Sequence, residues 1–336
     1  MQETAKTNKS YAYSGSSFIK KHRYIIVSIL IGVLLIATVI NFIYKKKNPP
    51  IPPISSIFYQ PLLRDKIIWR DTFHKLKQAG VKRVILQWSK FGVVDFVTDE
   101  QWLKEILEEA EKKKIKIVVG LYGDDRYFKT LENRTTDIPK YLKHLKKQNL
   151  IQAKKIYAIA KDSSSFDGYY IYDEIDESNF KEKSRQQLLK IYLQEIADTL
   201  KNFSKHPLYI SSYFSNQMPL EEYRNMLSEV TQNRYHLLLQ SGIGANLVDS
   251  NQSAKYMQTF NTHFKGSFTP IVEGFKFKES RIQATDFPSL KNQITLLQKS
   301  SKSISLSLFS LRYFLEEPLF NGYIQYYCKN GVKENF

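Results

Sequence analysis

From residue 55 onward, short runs dense in β-branched and aromatic side chains alternate with longer stretches of helical period. Strand-like runs fall near 56–60, 83–88, 116–122, 166–174, 207–213, 236–241, 269–274 and 303–309. Between them, helical patterns occupy 66–79, 99–114, 138–161, 182–203, 219–230, 251–263 and 287–300. Several strands are nearly unbroken in apolar residues, the pattern of a strand covered on both faces. Asp99 is placed to cap the helix that follows it, and Gly80 to end the one before the second strand. Eight strand–helix units in roughly 280 residues predict an α/β fold of the (β/α)8 TIM-barrel type, whose typical size is about 250 residues. The eighth helix is the thin one, because 316–328 contains Pro318 and Gly322. An open doubly wound sheet would need a phosphate loop. The one candidate, Gly242-Ile243-Gly244-Ala245-Asn246-Leu247, lacks the third glycine of that motif.

A different pattern precedes the barrel. Residues 24–44 read YIIVSILIGVLLIATVINFIY, without a charge and with a tyrosine at each end. That length in helical form matches a hydrocarbon core of about 30 Å. Lys45-Lys46-Lys47 follows directly, where a cleaved signal peptide would have a small-residue cleavage site. The expected organisation is a short basic tail at 1–23, a transmembrane anchor at 24–44, a Lys/Pro-rich linker at 45–54 and the barrel at 55–336. The linker's Asn48-Pro49-Pro50-Ile51-Pro52-Pro53 reads as an extended polyproline-like spacer. Cations flank both ends of the apolar segment, so charge alone barely sets its orientation. A short polar tail before a single anchor favours a barrel on the extracytoplasmic side.

Composition narrows the chemistry. The 336 residues carry 50 Lys+Arg against 33 Asp+Glu, a formal net charge of +17. Residues 1–47 hold eight of those cations against Glu3 alone, and the rest of the excess is spread over helix surfaces with no basic–aromatic stripe. No nucleic-acid partner is therefore expected. One cysteine, Cys328, rules out a disulfide framework within the chain and any multi-cysteine metal site. The histidines at 22, 74, 144, 206, 236 and 263 form no metal-binding pair. Neither a metal nor a cofactor is expected, and no serine-nucleophile elbow precedes a helix.

Function in such a barrel is built at the C-terminal strand ends. Glu174 ends the fourth strand, in Asp167-Gly168-Tyr169-Tyr170-Ile171-Tyr172-Asp173-Glu174-Ile175-Asp176-Glu177, and Glu273 ends the seventh, in Thr269-Pro270-Ile271-Val272-Glu273-Gly274-Phe275. Hydrolysis of a glycosidic bond needs two carboxyl groups, one protonated at the leaving oxygen and one ionised at the anomeric carbon. Glu174 is the expected acid/base, since Tyr172 would desolvate it and Asp173, Asp176 and Glu177 crowd it with negative charge. Glu273 is the expected nucleophile. Tyr59, Gln87, Trp88, Tyr122, Tyr213 and Phe309 fall at or near strand ends, with Asp124 and Asp125 after the third strand. Flat rings and amides suit a glycan. In a chain with 14% aromatics, core packing accounts for each of them individually just as well. A strand-end glutamate can equally be a cap or an ion-pair partner, and the 173–177 acids a solvated loop or a divalent-cation site.

The strand-four and strand-seven glutamates resemble the layout of the clan of retaining glycoside hydrolases. More closely, Phe58-Tyr59-Gln60-Pro61, Val84-Ile85-Leu86-Gln87-Trp88, Val118-Val119-Gly120-Leu121-Tyr122 and Gly168-Tyr169-Tyr170-Ile171-Tyr172-Asp173-Glu174-Ile175-Asp176 resemble the bacterial domain of unknown function 4434 family. The resemblance covers about 55–310, is strongest around the fourth strand, and implies a glycoside-hydrolase-like barrel. It implies Glu174 as acid/base, Glu273 as nucleophile, and a polysaccharide or oligosaccharide substrate. Asp173 would be a sugar contact, in a place where the hydrolase clan usually has Asn. An ionised Asp accepts a hydrogen bond where Asn donates one, and strict alternation cannot turn both Asp173 and Glu174 into the mouth unless the strand end bulges. With the apolar segment, the expected location is the bacterial inner (cytoplasmic) membrane, single-pass. The alternative function is a catalytically inactive glycan-binding or scaffold barrel.

Overall fold

The computed structural model describes residues 31–36, 38, 51–279 and 281–328. The chain separates into two units, Met1–Pro50 and Ile51–Phe336. In the first, 31–36 is helical. The expected tail 1–23, most of the apolar segment 24–44, the linker as far as Pro50 and the last residues 329–336 lie outside the described residues. A membrane span needs about 20 consecutive helical apolar residues, and no helix among the described residues is long and apolar enough. This corrects the expected fold class to the barrel alone: a preceding transmembrane helix is not supported among the described residues, and neither is the single-pass inner-membrane location that depended on it.

Eight parallel strands close on themselves in sequence order. They are β1 (Ile54–Tyr59), β2 (Arg83–Leu86), β3 (Lys116–Gly120), β4 (Phe166–Ile175), β5 (Leu208–Ser212), β6 (Tyr235–Gln240), β7 (Phe268–Glu273) and β8 (Leu306–Phe309), which pairs back with β1. The outer layer consists of α1 (Trp69–Gln78), α2 (Glu100–Lys113), α3 (Ile138–Ala160), α4 (Lys183–Lys201), α5 (Leu220–Thr231), α6 (Ser250–His263) and α7 (Phe287–Ser301). The eighth helical position is split into Leu311–Phe314 and Glu317–Tyr323. Pro318 stands in the first turn of the second piece, where its missing N–H leaves no bond unmade.

The near-continuous apolar strands have the expected cause. One face of each strand fills the barrel, where Phe58, Ile85, Val118, Tyr170, Tyr209, Leu238 and Ile271 form one buried cluster. The alternate residues, such as Ile57, Val84, Val119, Ile210, Leu239 and Val272, meet helix residues including Phe73, Ile106, Leu193, Leu227, Met257 and Ile294. Aspartates start four of these helices. Asp99, Asp137, Asp249 and Asp286 each accept a backbone N–H of the first turn, and Asp249 completes a reciprocal capping box with Gln252.

At the mouth, β3 comes so close to β2 that a Cβ on Gly120 would lie 2.2 Å from the Gln87 carbonyl oxygen and 2.5 Å from that of Leu86. Backbone cannot yield there as a side-chain tip could. Gly120→Ala is expected to push β2 and β3 apart and destabilise the fold by about 1–3 kcal/mol. Thermal unfolding should read this as a clearly lowered Tm, and an unchanged Tm would refute the close approach.

Candidate active site

The site begins with an irregularity in β4. Ile171 pairs with Ile210 of β5, yet the next registered pair is Ile175 with Ser212, so four steps along β4 oppose two along β5. The surplus residues form a bulge, yet the in–out alternation runs through it unchanged, with Tyr170 facing the barrel interior and Ile171 and Ile175 the helix layer. Tyr127 Oη donates to the Glu174 carbonyl at 3.1 Å, and Tyr223 Oη donates to the Ile175 carbonyl at 3.0 Å.

The acids of 173–177 diverge, Asp173 and Glu174 by ordinary strand alternation. Asp173, 1% exposed, faces the helix layer, where its Oδ2 accepts from Asn149 Nδ2 of α3 at 2.9 Å and from Tyr192 Oη of α4. Glu174 turns to the barrel side, where Oε1 accepts from Ser211 Oγ of β5 at 2.8 Å and from Gln240 Nε2 of β6. Asp176 holds the Asn179 backbone N–H at 2.7 Å. Glu177 accepts from the backbone N–H groups of Gln217 and Met218, pinning the loop after β5. Among the described residues, no three His, Cys, Asp or Glu side chains converge as a metal site would require. Four acids crowded in sequence are separated in space, and the divalent-cation reading gains no support.

Glu174 remains partly exposed, but its surroundings push its carboxyl up to about 7. Burial is the main cause; the hydrogen bonds from Ser211 and Gln240 oppose it, and the charges of Asp176 and Glu273 add to it. Glu273 is therefore within electrostatic reach of Glu174. The two glutamates are also bracketed by consecutive residues: Gln240 donates to Glu174, and Ser241 donates to Glu273 at 3.1 Å.

Glu273 itself is fully enclosed, with 0% exposure. Its Oε2 accepts from Gly244 N at 2.5 Å, Ser241 Oγ at 3.1 Å and Ala245 N at 3.3 Å, whereas its Oε1 has no partner among the described residues. Gln293 of α7 holds both its backbone N–H and its carbonyl at 3.3 Å. Burial raises its pKa and the loop amides work against that rise. The glycine pattern at 242–247 now has a purpose other than phosphate binding: a Cβ on Gly244 would lie 2.5 Å from the Phe275 carbonyl oxygen and 2.8 Å from Glu273 Cβ. The loop can seat its amides on the carboxylate only because Gly244 has no side chain.

The remaining predicted contacts divide into two groups. Phe309 pairs with Glu273 across β7 and β8, and its ring lies 5.5 Å from Phe58 inside the barrel. Gln87, half-buried, continues the inner face of β2 beyond Ile85, with a buried Oε1 that has no partner. Trp88 stacks on Phe91 at 4.4 Å and meets Tyr172 edge-on at 5.7 Å, its Nε1–H donating to the Pro61 carbonyl. Tyr213 is half-buried beside Phe128. Tyr59, Tyr122 and Asp173 are directed elsewhere. Tyr59 lies on the outer face of β1, its ring against Trp69 and its hydroxyl donating to Asp65 at 2.9 Å. Tyr122 belongs to the outer core and is 7% exposed. Asp124, 2% exposed, accepts from Tyr141 Oη, whereas the Asp125 side chain is 56% exposed. Gly244 entered the reading of the sequence only as part of an incomplete phosphate loop, and Ser211, Gln240 and Ser241 escaped it. Their one signal was polar residues closing the apolar runs YISS and YHLLLQS.

The family model described as Domain of unknown function (DUF4434) matches residues 55–320. The chain belongs to this family. A curated relative, the uncharacterized protein YbcH of Escherichia coli (strain K12), is 27% identical over 282 residues, covering 81% of this chain and 93% of that one. A solved structure from Bacteroides thetaiotaomicron VPI-5482, described as a "putative alpha-L-fucosidase", superposes with a TM-score of 0.64 at 16% identity, over 83% of this chain and 94% of that chain. The β-galactosidase of the psychrophilic Marinomonas ef1 gives a TM-score of 0.53 at 9% identity, over 80% and 58%. At such identities the likeness to the solved structures carries the fold alone.

Asp173 is pushed up to about 7 from 3.8, chiefly by burial. Below the lower value both folded and unfolded states are protonated. Between the two values the unfolded state ionises while the DUF4434 barrel keeps its proton, so the group costs stability as pH rises and costs most above about 7. Asp173→Asn keeps an acceptor for Asn149 and Tyr192 and removes this term. Its gain in unfolding free energy over wild type should be larger at pH 8 than at pH 5, by about 2 kcal/mol, measured by denaturant titration at both pH values.

Proposed function

We propose that this chain is a glycoside hydrolase acting on an oligosaccharide or polysaccharide by a two-glutamate retaining mechanism. One observation carries the reading. Glu174 lies on the inner side of the β4 end, partly open, with its carboxyl pushed up to about 7 and Glu273 close enough to contribute to that rise. A carboxyl poised near neutrality is suited to give a proton and then take one back. Its neighbour Glu273 has one oxygen held by three donors and the other without a partner among the described residues. In the proposed reaction, protonated Glu174 donates to the glycosidic oxygen as the bond to the anomeric carbon breaks. Glu273 Oε1 attacks that carbon and forms a glycosyl ester. Glu174, now ionised, removes a proton from the water that hydrolyses the ester and so regains its own.

A second reading is a glycan-binding barrel without turnover, and the complete enclosure of Glu273 favours it. Reducing-sugar release by the full chain from a panel of neutral and acidic polysaccharides separates the two. The hydrolase reading expects turnover that falls by about 100-fold or more in Glu174→Gln, and equally steeply in Glu273→Gln. Oligosaccharide binding without turnover, untouched by either substitution, would establish the second reading instead.

The pH dependence has a fixed sign. The first step needs Glu174 protonated, the form that predominates below about 7, so kcat/KM should fall roughly tenfold per pH unit on the alkaline side. It also needs Glu273 ionised, so an acid limb is expected above the ordinary carboxylate range, since burial raises that group. A profile flat from pH 6 to 9 would exclude Glu174 as the acid.

A further inference from the structure

Three side chains outside the predicted site meet at Glu174. Ser211 Oγ donates to Glu174 Oε1 at 2.8 Å, Gln240 Nε2 donates to the same oxygen, and Tyr170 Oη lies 2.6 Å from Ser211 Oγ. Because the Ser211 proton is committed to Glu174, Tyr170 must be the donor in the Tyr170–Ser211 bond. The result is a directed chain, Tyr170 to Ser211 to Glu174 Oε1, with Gln240 joining at its end. These groups come from three adjacent strands. Ser211 is 2% exposed, Tyr170 is 1% exposed, and Tyr170 forms part of the barrel's inner cluster.

We propose that Ser211, Gln240 and Tyr170 are positioning residues that decide which oxygen of Glu174 carries the exchangeable proton. This rests on the acid/base reading of Glu174. An oxygen accepting two hydrogen bonds takes the carbonyl role in the protonated acid, so the proton is left on Oε2, the oxygen to which the described residues donate no hydrogen bond. The same two bonds stabilise the ionised form when the proton has left. The cradle thus fixes the rotation of the carboxyl and limits the rise that burial causes. Without it, the acid would hold its proton more tightly and turn freely about its last torsion. Ser211 and Gln240 act through Glu174 and are not assigned any contact with substrate.

The test reads the carboxyl itself. The full chain, labelled with 13C at glutamate Cδ, is titrated by NMR, and the Glu174 resonance is assigned by its loss in Glu174→Gln. Ser211→Ala and Gln240→Leu should each move the Glu174 midpoint upward by about half a unit to one unit, a three- to tenfold change in the protonated ratio. Tyr170→Phe should move it less, in the same direction, since Ser211 keeps its own donor. Ser211→Ala strands the buried Tyr170 hydroxyl and can lose stability for that reason alone. The double variant Tyr170→Phe/Ser211→Ala removes both partners, preserves shape, and should show the same upward midpoint. Midpoints unmoved in Gln240→Leu and in the double variant would overturn the proposal. Failure of the hydrolase reading would appear separately, as absence of sugar release by the wild-type chain, and leaves these midpoints readable. If glycan turnover is found, the alkaline limb of kcat/KM in Gln240→Leu must move upward with the NMR midpoint, a change that a merely structural role would not produce.

Discussion

Buried carboxylates govern this end of the barrel. Asp173, Asp176, Glu177 and Glu273 are each 1% exposed or less, and an ionised carboxylate in such a setting is tolerable only with donors in place. Each acid has obtained its donors from a different element: α3 and α4 for Asp173, the following turn for Asp176, the loop after β5 for Glu177, and the loop after β6 for Glu273. Strand alternation separates Asp173 from Glu174, and the chain beyond the strand carries Asp176 and Glu177 to donors of their own.

The sequence made the barrel legible because the physics there is redundant. A parallel strand buried on both faces must be apolar almost throughout, and eight such runs separated by helical periods leave little else to build. Glu174 and Glu273 were legible for the converse reason, as ionisable groups ending runs that otherwise exclude charge. What failed was direction. Tyr59 stands next to Phe58, which faces inward, so Tyr59 must face the helices, and no composition argument reveals which neighbour takes the inside. Asp173 takes the outer face for the same reason, sharing the parity of Ile171 and Ile175. Asn149 and Tyr192, its partners, sit 24 and 19 residues away along the chain in mid-helix, where nothing local marks them as donors.

The glycines of 242–247, set aside as an incomplete phosphate loop, have a related explanation. Gly242 and Gly244 together looked like half of a phosphate loop, since both phosphate cradles and carboxylate cradles need backbone N–H groups brought close to an anion. Here the anion belongs to the protein. Glu273 occupies the place a ligand would take, and the close approach of Gly244 to the Phe275 carbonyl explains the missing side chain without any bound group.

The end of β6 couples the two glutamates more tightly than their distance along the chain implies. Gln240 serves Glu174, and the next residue, Ser241, serves Glu273. Successive residues normally point to opposite faces, so a single strand end can reach two carboxylates only where one lies on each side of it. In both glutamates the donors converge on one oxygen, as Ser211 and Gln240 do on Glu174 and as Ser241, Gly244 and Ala245 do on Glu273. Each bond favours the ionised form, while the negative charge of Glu273 favours the protonated form of Glu174. A shift of the β6 end that loosened Ser241 and the amides behind it would make Glu273 harder to ionise, and a neutral Glu273 would in turn make Glu174 easier to ionise. The two proton affinities are thus set against each other through one short segment, which is the physical condition for keeping one acid charged and its neighbour protonated at the same pH.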